Sequence, residues 1–139
     1  MGAGGFMMSE LGNPANFVAS LLVRAKFTNL FTFSCSALEC AEPIVVTAGG
    51  FARDVRMTRE ERGAVTVSVR VVRNVEADAR SVAEACERAL RGSPWDPGMD
   101  SGQYRVCGLD TTAPELELQD GSGQYVYKFD VVLTVAREI

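Results

Sequence analysis

The sequence contains no histidine, and this absence narrows the chemistry that the chain can perform. Histidine is the commonest general base, the usual partner of a catalytic nucleophile and the commonest metal ligand. Acidic pairs do occur, at Glu60-Glu61, at Glu115 with Glu117, and at Asp96 with Asp100. All three pairs fall in predicted turns or loops, where a solvated carboxylate lacks the burial that tunes a carboxyl group for acid catalysis. The sequence therefore predicts a protein that is not an enzyme.

Cysteine is scarce and its spacing is uninformative for metal binding. The four cysteines are Cys35, Cys40, Cys86 and Cys107. They form no CxxC pair, and without histidine a mixed zinc site is excluded, although composition alone leaves a four-thiolate site open. Cys86 lies on an apolar helix face and Cys107 lies in a predicted strand. We therefore expect small buried hydrophobic side chains in a reduced compartment, with no bound metal or cofactor.

Long hydrophobic runs are also missing. No apolar stretch approaches the roughly 18 to 20 residues of a membrane helix, and the N-terminus lacks the pattern of a secretory signal. We expect a soluble, unexported protein with no membrane partner. With 139 residues and 47% hydrophobic content, the chain is the size of one domain with its own core. The expected organisation is a flexible N-terminal arm over residues 1–12 and a single domain over 13–139.

Positive charge is not in excess. The chain carries a net charge of −4, divided as −1 over residues 1–52, +2 over 53–91 and −5 over 92–139. A broad nucleic-acid surface needs a basic face, often with interleaved aromatic residues. The charge pattern therefore argues against sequence-specific nucleic-acid binding.

The centre of the chain has two clear periodicities. Val65, Val67, Val69 and Val71 alternate with polar residues, which predicts a strand over residues 64–73. The next apolar residues follow the three-to-four spacing of a helix face. They are Ala79, Val82, Ala85, Cys86, Ala89 and Leu90. Asn74 is the predicted N-cap of this helix, and Gly92 is predicted to end it.

The remaining elements follow from turn residues and alternation. Asn13-Pro14 predicts a helix over roughly residues 14–26. Strands are predicted over 27–35, from Ile44 with an interruption at Gly49-Gly50 and a continuation over 51–57, over 104–109, over 116–118, and over 125–135, with a charged turn over 58–63. The expected order is α-β-β-β-α-β-β. This order indicates an α+β fold in which two helices cover a mostly antiparallel sheet of four to five strands.

Charged residues cluster where the hairpin turn is predicted. Arg53, Arg56, Arg59 and Arg62 recur every three residues beside Glu60 and Glu61. One interpretation is a soluble hairpin with local ion pairs. The other is a contact surface for a protein partner, because the planar, multi-donor guanidinium suits polar interfaces and a hairpin tip projects beyond its sheet. Trp95 is the second candidate, in a turn-rich loop over residues 92–102, either folded back as a plug or exposed to a partner.

Several segments together resemble the small tail terminator and minor capsid proteins of long-tailed bacteriophages. These segments are Glu42-Pro43-Ile44 opening a strand, RMTREERGAVTVSVRVVRN over residues 56–74, EADARSVAEACERALRG over 76–92 and DGSGQYVYKFDVVLTV over 120–135. The likeness covers roughly residues 14–137 and consists of the order and spacing of elements. It implies a virion protein of the tail or neck, synthesised in the bacterial cytoplasm. Such proteins form a homo-oligomeric ring, often of six subunits, that caps the tail tube and contacts the head connector protein.

Three other hypotheses stay open at this stage. The chain could be a head-tail connector or minor capsid protein of the neck. It could be a small intracellular ligand-binding α+β domain, which ligand-dependent thermal stability would reveal. It could also be a compact enzyme with a reactive thiolate, which slow reaction with thiol reagents at neutral pH would contradict.

Overall fold

A computed structural model describes residues 14–31, 42–56, 59–92, 105–119 and 123–138. The elements are α1 (Pro14–Arg24), β1 (Leu30–Phe31), β2 (Ile44–Arg56), β3 (Glu60–Arg73), α2 (Glu76–Arg91), β4 (Arg105–Thr111), β5 (Glu115–Gln119) and β6 (Tyr125–Glu138). The predicted α+β class and the order of helices and strands are confirmed. The predicted arm over residues 1–12, Cys35, Cys40 and Trp95 lie outside the described residues.

The described strands form one sheet in the order β1-β2-β3-β6-β4, with β5 also paired to β6. Strands β2 to β6 pair antiparallel, within the predicted four to five, and the two-residue β1 adds a parallel edge. Strands β4 and β5 pair with successive stretches of β6, β4 from Ala136 to Val131 and β5 from Lys128 to Tyr125. They therefore form one broken edge of the sheet.

The core lies between one face of the sheet and the two helices. The predicted alternation on β3 is confirmed, because Val65, Val67, Val69 and Val71 are all fully buried. Each of these valines is directly opposite a core residue of β6, in order Leu133, Val131, Phe129 and Tyr127. Helix α2 covers them with Ala79, Ala83, Cys86 and Leu90. Burying each such valine contributes roughly 1.5 to 3 kcal/mol, so this layer dominates the stability of the fold.

Helix α2 starts one residue later than a cap at Asn74 would require. Its N-cap is Val75, which has an extended backbone and makes no side-chain cap. The backbone N–H of Asn74 instead donates to Oε2 of Glu42 at 3.1 Å, so Asn74 is held by the loop before β2. The prediction that Asn74 caps the helix was therefore wrong. The predicted end at Gly92 is confirmed, and the Gly92 N–H donates to the Arg88 carbonyl at 3.0 Å.

The β2–β3 hairpin differs from the prediction in two places. Gly49-Gly50 does not interrupt β2, because a register shift between Ala48 and Phe51 absorbs the irregularity and pairing continues. The predicted charged turn over residues 58–63 is wrong from Glu60 onward. Glu60 to Gly63 are strand residues, since β6 continues to Glu138 and pairs with them on one side while β2 pairs with residues 61–63 on the other.

The two described cysteines have different environments. Cys86 is fully buried on α2, as predicted. Cys107 is exposed, which contradicts its expected burial. The reason is that Cys107 follows the buried Val106, so strand alternation points its side chain to the open face of the sheet, where a register shift between Val106 and Gly108 also leaves it without a partner residue on β6.

Candidate functional site

The candidate site is the end of the sheet where β3 begins and β6 ends, which we call the arginine end. It comprises Phe51, Arg53, Arg56, Arg59, Glu60, Glu61, Arg62, Arg105 and Arg137. Among the β2 residues whose burial is described, the buried ones are Ile44–Val46, whereas Ala52–Asp54 and Arg56 are exposed. The second half of the hairpin therefore extends beyond the hydrophobic core, and its side chains are held by strand pairing.

Glu61 is the centre of the first cluster at this end. Its Oε1 accepts a hydrogen bond from Nε of Arg137 at 2.7 Å, and its Oε2 lies 3.9 Å from Nη1 of Arg53. The Arg137 guanidinium also lies over the Phe51 ring, 4.2 Å from its centroid. Since only 12% of the Glu61 side chain is exposed, the two arginines and the ring enclose this carboxylate.

Glu60 is the centre of a second cluster. Adjacent strand residues point to opposite faces, so Glu60 lies on the face that the helices leave uncovered. Its carboxylate accepts a hydrogen bond from Nε of Arg62 at 2.8 Å and from Nη2 of Arg105 at 3.3 Å. The hydrogen bond from Arg62, followed by the charges of Arg62 and Arg105, holds the pKa of Glu60 below its ordinary value of 4.5. Each of the two glutamates is therefore paired with two arginines.

Arg56 and Arg59 are the two cations at this end that are not used internally. Both side chains are exposed, and no ion pair joins either of them to another described residue. Arg56 is the last residue of β2 and Arg59 immediately precedes β3, so both lie at the tip of the hairpin. Guanidinium groups with free donors bind carboxylates in a planar, bidentate geometry. This part of the surface can therefore bind an acidic group on another molecule.

The structure brings together most of the residues predicted from the charge pattern. Arg53, Glu60, Glu61 and Arg62 form the two clusters, while Arg56 and Arg59 stand free beside them. Local ion pairing and an outward-facing surface therefore coexist at one place. Trp95 lies outside the described residues, so its predicted contact role stays a prediction.

Three members of the site were missed by sequence reasoning: Phe51, Arg105 and Arg137. Arg137 lies on the same face of β6 as Val135 and Leu133, so the alternation of the last strand predicts an apolar residue at this position and gives no sign of its pairing with Glu61. Arg105 carries no signal either. It reaches Glu60 only because β4 and β3 lie on opposite sides of β6.

A further polar network covers the open face of the sheet. Arg70 donates to both carboxylate oxygens of Glu117, at 2.8 and 3.2 Å, and Ser68 donates to Oδ1 of Asp130 at 3.0 Å. These contacts join β3 to β5 and to β6 across the sheet. These polar side chains hydrogen-bond to one another on the face that no helix covers, so this face can be exposed to solvent. The same contacts stabilise the sheet.

Two open hollows lie along the β4–β5 edge. One, of about 530 Å³, lies between the C-terminal half of α2 and residues 110–114. The other, of about 240 Å³, lies where β4 passes into β5 and includes Glu115, Leu116 and Lys128 in its wall. Among the described residues, no group of three or more cysteine or acidic side chains is arranged to hold a metal ion. None of the helices in the described ranges is long and apolar enough to cross a membrane.

Comparisons with protein-family models and with curated proteins gave no match.

Proposed function

We propose that this protein is a structural protein of a long-tailed bacteriophage, which forms a ring that terminates the tail tube and joins it to the head connector. One observation carries the proposal: Arg56 and Arg59 are exposed and form no ion pair with a described residue, whereas the neighbouring glutamates, Glu60 and Glu61, are already paired with arginines of the same chain. Two unused guanidinium groups at the tip of the hairpin form a surface suited to contact with another protein. The resemblance to tail terminator proteins supports the identity of that partner.

The rigidity of the arginine end also supports an assembly role. Strand β3 is paired on both sides from Glu61 to Val71, and the Glu61 and Glu60 clusters link its first residues to β6 and β4. A surface that is already ordered loses little conformational entropy on binding. Repeated addition of identical subunits around a tube requires the same geometry in every copy, which such a preorganised surface provides.

The ion-pair arrangement favours a protein partner over DNA. Two carboxylates, those of Glu60 and Glu61, lie among the arginines at the arginine end. The whole chain has a net charge of −4. These carboxylates weaken the attraction of this end for a phosphate backbone, whereas a mixed-sign protein surface can pair with both signs.

The direct test uses purified tail tube protein from the phage that this proposal implies. Tail tubes are assembled with and without the purified protein, and electron microscopy measures tube length and looks for a ring at one end. We expect shorter tubes of uniform ending with wild type, and no such effect with Arg56→Glu/Arg59→Glu. Arg24→Glu is the matched control, because Arg24 is an exposed arginine at the end of α1, far along the chain from the arginine end. Tubes that never bind the wild-type protein would reject the proposal.

The same preparation distinguishes the alternatives. Binding to the head connector without binding to tubes would identify a connector or minor capsid protein of the neck. A small-molecule-binding domain would instead show a melting temperature that rises with one member of a metabolite panel, since a ligand that binds only the folded state stabilises it.

A further inference from the structure

We propose that Arg56 and Arg59 of one copy dock into the hollow at the β4–β5 break of a second copy, so that identical subunits join head to tail. The inference rests on the proposed assembly function and names the surface on the neighbouring subunit. It is carried by a match in charge between two parts of the same chain that cannot meet within one copy.

The hollow is formed by a break in the edge of the sheet. After β4 the chain leaves the ladder for three residues, 112–114, and rejoins it as β5. Thr112 keeps the break close to β6, because its backbone N–H donates to the Asp130 carbonyl at 3.0 Å and its Oγ1 accepts from the Asp130 N–H at 2.9 Å. The break is therefore held in one shape, and the concavity of about 240 Å³ beside it is a fixed feature of the fold.

The wall of this hollow has the chemistry that an arginine side chain requires. Leu116 is 44% exposed and is one of the few large hydrophobic side chains in the described residues that face solvent. Beside it, the Glu115 side chain is exposed and has no ion-pair partner among the described residues. Glu115 and Leu116 are consecutive residues of β5 and point to opposite faces of the sheet, so the group that can bind an arginine guanidinium here is the Glu115 carboxylate, in a bidentate geometry.

The neighbouring charges favour a cation at the same place. Glu117 and Asp130 also line the hollow, and Lys128 is its only basic lining residue. Glu117 is engaged by Arg70, and Asp130 by Ser68 and Lys128. Glu115 is thus the carboxylate left for a partner, just as Arg56 and Arg59 are the cations left at the arginine end.

The positions of the two surfaces dictate a head-to-tail contact. In the sheet, Arg62 and Arg105 flank Ala136 of β6, whereas Glu115 pairs with Lys128. These two positions on β6 are separated by about 27 Å at the rise of an antiparallel strand. The two surfaces are unlike and lie toward opposite ends of the molecule. Contacts of this kind generate a ring when the rotation closes, and a filament when it does not.

Reciprocal charge reversal tests the contact. Light scattering measures the mass of the wild type over a concentration series at low ionic strength, together with Arg56→Glu/Arg59→Glu, Glu115→Arg, and the control Arg24→Glu. Circular dichroism confirms that each variant is folded. We expect the wild type and the control to self-associate, and each of the other two variants to associate more weakly by roughly tenfold or more.

Mixing the two defective variants is the decisive step. In the mixture, the arginine end of Glu115→Arg faces the native Glu115 of the other variant, and the reversed charges at positions 56 and 59 face the reversed charge at position 115. We therefore expect mixed oligomers in which the two variants alternate, and restored self-association when all three reversals are combined in one chain.

Two results would overturn this contact without deciding the proposed function. One is a mixture that stays as dissociated as its components, and the other is a wild type that stays monomeric at every concentration. If such a protein still caps tail tubes, the tube itself assembles the ring and the contact proposed here is rejected. If it neither associates nor binds tubes, both proposals fail together.

Discussion

Arg137 and Glu61 lie directly opposite each other on β6 and β3, and Nε of Arg137 donates to Oε1 of Glu61 at 2.7 Å. The pair closes the sheet at the point where the hydrophobic core ends. Arg53 reaches the same carboxylate from β2, so one glutamate connects three neighbouring strands.

Removal of Glu61 should therefore destabilise the fold. In Glu61→Ala the Arg53 and Arg137 guanidiniums lose their shared carboxylate at a site where only 12% of the glutamate side chain was exposed. We expect a loss of about 1 to 3 kcal/mol in the free energy of unfolding, as for a hydrogen bond to a charged group. Urea unfolding measures it. Glu84→Ala, at an exposed glutamate of α2 outside both proposed surfaces, is the control and should change stability by no more than about 0.5 kcal/mol. Equal losses for the two variants would contradict the role given to Glu61.

Glu60 should make stability depend on pH in the acid range. Hydrogen bonding by Arg62 holds the pKa of Glu60 below its ordinary value of 4.5 in the folded protein. A group with a lowered pKa contributes stability that is complete above its unfolded value and is lost as the pH falls through its folded value. The melting temperature of wild type should therefore exceed that of Glu60→Gln above pH 4.5. The difference should shrink progressively below that pH, and a difference that is constant with pH would exclude this linkage.

The elements with a strong period were predictable from sequence. The alternating valines of β3 and the long alternation of β6 each reflect burial of one face, and the structure buries those faces. On α2 it buries Ala79, Cys86 and Leu90 of the predicted face, leaves Val82, Ala85 and Ala89 half-buried, and adds the buried Ala83. What sequence reasoning lacked was the extent of strand pairing. The charged composition of this segment predicted a turn at Glu60, Glu61 and Arg62. They are strand residues because β6 pairs with them.

The candidate site was only partly predictable for a related reason. The arginines and glutamates within residues 53–62 are near neighbours in sequence, and their clustering was visible there. Arg105 and Arg137 bind the same glutamates from 45 and 76 residues away. Only the strand order β3-β6-β4 brings them together, and pairing over such distances leaves no periodic trace in the chain.

The two described cysteines should differ sharply in reactivity. Burial raises the pKa of the Cys86 thiol to about 12, so almost no thiolate forms at neutral pH, and the side chain is inaccessible. Cys107 is exposed at a bulge in β4. Brief treatment with iodoacetamide at pH 8, followed by peptide mass spectrometry, should modify Cys107 and spare Cys86 until denaturant is added. Rapid modification of Cys86 in the folded protein would show that α2 opens readily.

Among the glycines of the β2–β3 hairpin, Gly63 should tolerate substitution least. A Cβ added there would lie 2.1 Å from the carbonyl oxygen of Ala52 on β2, and backbone atoms on a paired strand cannot move aside without breaking the ladder. We expect Gly63→Ala to cost about 3 kcal/mol through this overpacking. Gly50→Ala is the matched control in the same hairpin, because a Cβ at Gly50 meets nothing within 4 Å. That variant should stay within about 0.5 kcal/mol of wild type. Urea unfolding of both variants decides the matter. Equal stability of Gly63→Ala and Gly50→Ala would show that β2 and β3 do not approach this closely in solution. The strand pairing that supports the arginine end would then be looser than in the structure.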